Sequence, residues 1–490
     1  MGCVLARTVT HALVGLEARR VEVEAHLDSG IPGFAIVGLA DRACQEAKHR
    51  VRSGIASAEL EWPVRRRITV NLAPAELRKE GSGFDLPIAL SILAASGQIP
   101  RERLDDHAAV GELGLDGSLR PVGGVLALAE AARRAGLPRI LCAERSCAEA
   151  ALAGIEPVPV RHLSEVAAYL RGEREPEPWV EGNGHREERP QLDLADLRGQ
   201  ERARRALEIA AAGGHNLLLA GPPGTGKTML ARRLPGILPP LSPAEALEVT
   251  RIHSVAGMLA ADRPLVTARP LRSPHYNASV AALVGGGPGP KPGEVSLAHR
   301  GVLVLDEFAE FQRPALEALR QPLEDGFVSI ARVGGRAVFP ARFQLVAAMN
   351  LCPCGARGDP AADCKCSPQR LSAFRDKLSR ALLDRIDLVV AMPRPRAVEL
   401  AAPPGEASEP VRHRVAVARE RLDVARAGWT KEATELLDRA VERLPLSGRG
   451  RARARRVAET IAALASETAV GAEHLAEALA YRSPTELGAP

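Results

Sequence analysis

The sequence predicts an α/β fold: a parallel sheet around a phosphate-binding loop, a helical lid after it and an α+β domain before it. Three observations predict this. "GPPGTGKT", residues 221–228, follows the short apolar run "HNLLLA" and opens the helical stretch "KTMLARRL", which is the strand–loop–helix context a phosphate-binding loop requires. "GVLVL" (301–305) and "FQLVAAM" (343–349) are continuous apolar runs, as parallel strands covered on both faces demand. Beyond residue 408 the chain reads as successive helices, near 408–427, 430–444, 449–466 and 471–482.

The 490 residues correspond to about three domains at roughly 150 residues each. Residues 1–170 form the front domain. Within it "VEVEAHL" and "RRITVNL" alternate as strands do, and "DLPIALSILAASG" reads as a buried helix closed by Gly97. The charged, Pro-bearing stretch 171–190, "RGEREPEPWVEGNGHREERP", is a linker. Residues 191–400 are the nucleotide-binding core, which "ERARRALEIAAAGG" enters as a helix, and residues 401–490 are the lid.

Composition excludes several classes. No apolar run reaches the roughly 18 residues of a membrane helix. The N-terminus lacks the basic and apolar regions of a secretory signal. Ala6 stands where a myristoylated Gly2 would need Ser or Thr. The expectation is a cytoplasmic protein, away from membranes, with reduced thiols. The net charge of +5 is weakly basic. Arginine far outnumbers lysine in an alanine-rich chain, so the arginine count alone is poor evidence for nucleic acid. Aromatics are only 3%, too few for a base-stacking platform; any nucleic-acid contact would be made to phosphates.

In the loop Gly221, Pro222, Pro223, Gly224, Thr225 and Gly226, backbone N–H groups can cradle phosphates at a helix N-terminus. Lys227 reaches the β- and γ-phosphates, and the Thr228 hydroxyl ligates Mg²⁺. "GVLVLDEF" supplies Asp306 and Glu307 at the end of a strand. Two such acids can simply close a solvated turn. Behind a complete phosphate-binding loop they fit Mg²⁺ holding by Asp306 and activation of the attacking water by Glu307.

These motifs resemble those of the AAA+ ATPases. "SPHYNASVAALVGGG", "GEVSLAHRGVLVLDEF", "LRQPLEDG", "ARFQLVAAMN", "CPCG" and "LLDRIDL" resemble the Mg-chelatase-like AAA+ proteins of the YifB/ComM type over nearly the whole chain. The resemblance implies ATP and Mg²⁺ as cofactors and further roles. Asn350 matches the sensor that orients water near the γ-phosphate. Arg385 matches the arginine finger that reaches a neighbouring subunit's nucleotide, and Arg449 in "LSGRG" matches the second sensor, carried by the lid. The sequence departs from the family pattern at Leu351, where proline is usual, and at Arg380 and Ala381. No catalytic group is lost.

Four of the eight cysteines, Cys352, Cys354, Cys364 and Cys366, lie on one Gly/Pro-rich loop between Asn350 and Arg385. Four thiolates can hold a tetrahedral Zn²⁺; reduced, unliganded cysteines are the alternative. Cys142 and Cys147 read as ordinary small residues.

The stretches 79–97 and 111–142 resemble the Lon-protease-like (ribosomal S5 domain 2-like) fold. A Lon-type peptidase needs a Ser nucleophile and a Lys base. The matching positions hold Gly83, beside Ser82, and Leu126. The front domain is therefore expected to be non-catalytic.

Between the phosphate-binding loop and Asp306 lies an insert with the loop "LVGGGPGPKPGE", carrying Lys291. "VSIARVGGRAVF" turns at Gly334-Gly335 with Arg332 and Arg336 beside it. In rings of this resemblance such elements face a central pore and contact DNA; a solvated hairpin is the alternative. The run "RGRARARR" (449–456) reads as a solvated helix face. The resemblance implies an ATP-driven homo-hexameric ring on branched or single-stranded DNA, as in the ComM-like branch-migration helicases of natural transformation. A metal-chelatase motor subunit and a protein remodeller with an inactive Lon-like adaptor are the rivals.

Overall fold

The computed structural model describes residues 4–179, 192–260, 263–287, 290–332, 335–424, 427–443 and 446–482. The front domain is a seven-stranded mixed sheet in the order Gly33–Val37, Arg66–Ala73, Glu17–Ser29, Val4–Val14, His107–Ala109, Arg139–Ala143, Glu156–Val160. Val21, Val23, Ala25 and Leu27 are buried and their neighbours less so, which is the period of two that predicts the strand. The helix Asp85–Ala95 is buried along its whole length, and Gly97 leaves it at φ +76. The last helix, Leu163–Arg171, is capped by Gly172 in the left-handed region. The predicted linker begins here, but Trp179 still packs on the front-domain core. Residues 180–190 of that linker lie outside the described residues.

Asp85 is fully buried and is held by Arg50 through two bonds of 2.6 and 3.0 Å and by the Leu113 N–H. Burial pushes its carboxyl pKa up, and Arg50 opposes that shift. Arg50→Ala leaves the charge without its partner and should cost about 3–5 kcal/mol, read as a lower midpoint of denaturant unfolding of the front domain.

Among the described residues, two patches of contact join the front domain to the core. Along the helix Val125–Arg134, Glu130 grips Arg251 at 2.6 and 3.1 Å. The Gly124 N–H donates to Ser254 O, and Ser254 Oγ bonds Glu149. Leu126 is buried here with its N–H on Glu149. Ser82 Oγ bonds Glu112, while Gly83 lies against Val110 and Val122. The second contact is the turn between the first two strands. Gly15, at φ +65, lies where an added Cβ would sit 3.3 Å from Ala337 Cβ, and Leu16 packs into the same core as Val328, Ile330 and Phe339.

The core sheet has five parallel strands in the order Leu271–Arg272, Val302–Leu305, Gln344–Met349, Leu217–Ala220, Leu388–Ala391. All four residues of Val302–Leu305 and all six of Gln344–Met349 are buried, as the apolar runs predict. Each strand ends at the same edge, so loops following different strands meet there. The lid helices are Ser408–Val424, Lys431–Arg443, Gly448–Leu464 and Ala472–Ala480, close to the predicted spans. In Lys431–Arg443 the buried residues Ala433, Leu437 and Ala440 fall on one face. The lid shares one hydrophobic core with the helix Glu201–Gly213. No helix among the described residues is long and apolar enough to cross a membrane.

Candidate functional site

The loop Gly221–Gly226 joins the strand Leu217–Ala220 to the helix Lys227–Ala231. Gly224 and Gly226 take φ +79 and +89, a left-handed conformation that glycine adopts without strain. Gly221 permits a close approach, since an added Cβ would meet Met392 O at 2.2 Å. Lys227 is buried, and its ammonium donates to Gly221 O and Pro222 O at 2.7 Å each and to Asn350 Oδ1 at 3.3 Å. Burial pushes the Lys227 pKa below its ordinary value, and Asp306 partly offsets that. A buried cation on neutral oxygens is poised to accept an anion in their place. Thr228 Oγ1 donates to Asp306 Oδ2 at 2.7 Å, so the hydroxyl and carboxylate required for Mg²⁺ already adjoin. A nucleoside triphosphate with its metal fits these residues.

Asp306 and Glu307 follow the strand Val302–Leu305. The Glu307 N–H bonds Asp306 Oδ1 at 2.9 Å, and Glu307 takes φ +52 with its side chain exposed. Asn350 follows the strand Gln344–Met349, so Lys227, Asp306, Glu307 and Asn350 converge at one sheet edge.

Arg385 and Arg449 do not join them. Asn216, preceding the strand Leu217–Ala220, donates through Nδ2 to Arg385 O and accepts from the Asp387 N–H at its main-chain oxygen. Arg385 is therefore at the starting edge of the sheet, one strand of about 13 Å from the phosphate-binding loop. Its guanidinium is buried, donating to Ala381 O at 2.6 Å and to Glu324, and its Nε has no partner among the described residues. Arg449, exposed near the start of the helix Gly448–Leu464, donates to the same Glu324 at 2.8 Å. Both line a cavity of about 950 Å³ with His215, Asp387 and Arg453.

The pair Gly285–Gly286 and Lys291–Pro292 and the hairpin Phe327–Arg332 and Gly335–Pro340 are antiparallel. An added Cβ on Gly285 would meet Ile330 Cδ1 at 3.0 Å, so the two hairpins touch. Lys291 is exposed. Arg336 is exposed and donates to Ser329 Oγ. Arg332 pairs with Gly335, and Gly334 of the predicted turn lies outside the described residues.

The Sγ atoms of Cys352, Cys354, Cys364 and Cys366 all lie within 4.8 Å of one another. Cys142 and Cys147 are both buried in the front domain. Leu351, the departure from the family pattern, packs half-buried on the core beneath the sheet.

Comparison with known proteins accounts for this arrangement. Models described as "Magnesium chelatase, subunit ChlI", "Subunit ChlI of Mg-chelatase" and "Magnesium chelatase, subunit ChlI C-terminal" match residues 193–400, 23–146 and 423–482. An uncharacterised protein of Mycobacterium tuberculosis is 46% identical over 98% of both chains. YifB of Escherichia coli is 41% identical, covering 97% of this chain and 96% of that one. The competence protein ComM of Haemophilus influenzae is 42% identical, covering 99% and 98%. The chain belongs to the YifB/ComM-type Mg-chelatase-like family. Membership makes it an AAA+ ATPase, and the site's residues suit ATP and Mg²⁺. The YifB/ComM relationship spans the front domain and lid as well as the core.

Sequence reasoning missed Glu324. It lies in "LRQPLEDG", but no local spacing tells that one carboxylate faces arginines at 385 and 449. It also missed the approach of Gly355 to Pro223, where an added Cβ would lie 3.2 Å from the proline ring.

Proposed function

We propose that the chain is one subunit of an ATP-driven ring, six-membered and cytoplasmic, that moves DNA in the manner of a branch-migration motor. The observation that carries the reading is the separation of Arg385 and Arg449 from their own phosphate-binding loop. A guanidinium one strand-length away cannot serve its own nucleotide, but a head-to-tail neighbour can present it. Such interfaces are heterologous and close into rings.

The chemistry follows from the chain's own groups. Backbone N–H groups of the loop and Lys227 bind and orient the phosphates. Thr228 and Asp306 would hold Mg²⁺, which when bound would supply positive charge against that of the phosphates. Asn350 positions the attacking water, and Glu307 draws its proton. Arg385 and Arg449 of the adjacent subunit stabilise the charge that develops on the γ-phosphate. In the single chain Glu324 occupies both arginines, so ring closure exchanges a carboxylate for a phosphate.

Support for DNA comes from the touching hairpins that carry Lys291, Arg332 and Arg336, and from the kinship with a protein named for competence. The front domain, read as Lon-protease-like, has no dyad at Gly83 and Leu126 and serves as a docking module. The Mg-chelatase family descriptions favour a second reading, a chelatase motor subunit. The test is the ATPase rate with forked and four-way DNA, and with an unfolded protein as control. The expected result is a severalfold rise with DNA alone, reduced in an Arg336→Ala, Lys291→Ala double variant. A rise with unfolded protein and none with DNA replaces this reading with a protein remodeller.

A further inference from the structure

Residues 351–367 contain neither helix nor strand, and only Cys352 and Gly355 among them are buried. Structureless segments beyond roughly 12–15 residues are uncommon inside compact domains. This one cannot be held by a core, because almost none of it is inside one. Its sulfurs nevertheless converge. Cys352 Sγ and Cys354 Sγ are 3.3 Å apart, and Cys354 Sγ and Cys364 Sγ are 3.7 Å apart. These distances are far beyond the ~2.05 Å of a disulfide. They are near the edge of a tetrahedron of thiolates about 2.3 Å from one ion, which is about 3.8 Å. The Arg357 N–H points at Cys352 Sγ at 3.2 Å, the kind of bond that orients a metal-bound sulfur. A ligand set of four sulfurs, with no carboxylate or imidazole, selects a soft tetrahedral ion.

The same loop touches the nucleotide site. Gly355, at φ +79, lies close to Pro223 of the phosphate-binding loop: an added Cβ would sit 3.2 Å from the proline ring, which would have to give by a few tenths of an ångström. Midway along the loop Asp359 pairs with Arg394 at 3.2 Å, just beyond the strand Leu388–Ala391. The cysteine loop thus reaches from the end of the strand Gln344–Met349 toward the edge strand Leu388–Ala391, passing beside Pro223 of the phosphate-binding loop.

We infer that Cys352, Cys354, Cys364 and Cys366 bind one Zn²⁺ as thiolates, and that the bound ion braces the phosphate-binding loop through Gly355. Binding displaces any remaining thiol protons to solvent and changes no oxidation state. The ion does not enter the hydrolytic step; it keeps Pro223 where the neighbouring N–H groups can meet phosphate. The second half of the inference rests on the nucleotide-site reading above.

The experiment uses full-length protein purified without a metal-affinity tag. Elemental analysis should find one zinc per chain. Stepwise modification of thiols by an organic mercurial, followed with a zinc-sensitive dye, should release that zinc. A fluorescent ATP analogue in the same sample should then bind about tenfold more weakly, the scale of a small misplacement of a binding group. Gly355→Ala should weaken the analogue similarly while keeping its zinc. Lys227→Ala should lose the analogue and keep its zinc. Absence of zinc, iron in its place, or full zinc occupancy in a Cys354→Ser, Cys364→Ser double variant overturns the site. One zinc per chain, with analogue affinity unchanged both after its release and in Gly355→Ala, overturns the brace. Wild-type protein that holds zinc but binds no analogue refutes the nucleotide-site reading instead, and leaves the zinc site standing. Mercurial release from the wild-type chain keeps the test decisive should the cysteine variants fail to fold.

Discussion

Glu307→Gln should bind ATP as tightly as the natural protein and hydrolyse it at least a hundredfold more slowly. The amide preserves size and can still hydrogen-bond water, but it cannot draw a proton from it; general-base effects are worth about 10²–10⁴-fold. The geometry makes the variant a clean one. Glu307 is exposed and makes its backbone bond to Asp306 through N–H, so the side-chain change leaves Thr228 and Asp306 undisturbed at 2.7 Å. Single-turnover hydrolysis and nucleotide affinity, measured on the same preparation, separate the two effects. Turnover within a few-fold of the natural rate would remove Glu307 from its role and shift attention to Asn350.

Arg385→Ala should abolish steady-state hydrolysis on a comparable or larger scale, since fingers supplied by a neighbour are worth about 10³–10⁵ in rate, and it should spare nucleotide binding. Mixing makes the expectation sharper. An Arg385→Ala subunit keeps its own Lys227, Asp306 and Glu307; a Glu307→Gln subunit keeps its Arg385. Each protein alone is nearly inactive. When they share a ring, the intact arginine of one can face the intact site of the other, and part of the ATPase should return, limited by the random order of subunits. If subunit exchange is demonstrated and no activity returns, Arg385 does not act across the interface. Glu324→Gln offers a companion measurement, because it frees both Arg385 and Arg449 from their carboxylate. It should leave Lys227-dependent nucleotide binding unchanged.

Local pattern made much of this legible. The phosphate-binding loop, the two buried strands and the four lid helices each carry their signal within a dozen or so residues, and each formed as predicted. The first strand, Val4–Val14, was not read, and the reason is physical. It lies in the middle of a sheet covered on both faces, so Thr8 and Thr10 are buried on one face and His11 on the other, and no alternation of apolar and polar residues marks the strand. Burial takes His11 down to about 4, leaving it neutral at ordinary pH. Asp306, Glu307 and Asn350 could be singled out because each follows the end of a buried strand. Glu324 and the Gly355–Pro223 approach could not, because both depend on how distant segments stack. The resemblance singled out Arg385 and Arg449, and the fold adds where they lie: away from the phosphate-binding loop, on one shared carboxylate.

The turn at Gly15 and Leu16 gives the front domain a thermodynamic hold on the hairpin Phe327–Pro340. Gly15 sits against Ala337 and Leu16 is packed into the hairpin's core, so displacing the hairpin must strip apolar surface from the turn or carry the turn along. Were the hairpin to take two positions, the front domain would take two states with it. Any molecule that binds the front domain better in one of them biases the hairpin by that difference in free energy, and by reciprocity a polymer gripping the hairpin alters the front domain's affinity by the same factor. On the ring reading proposed above, the front domain would thereby act as an input, its occupancy biasing the position of the hairpin.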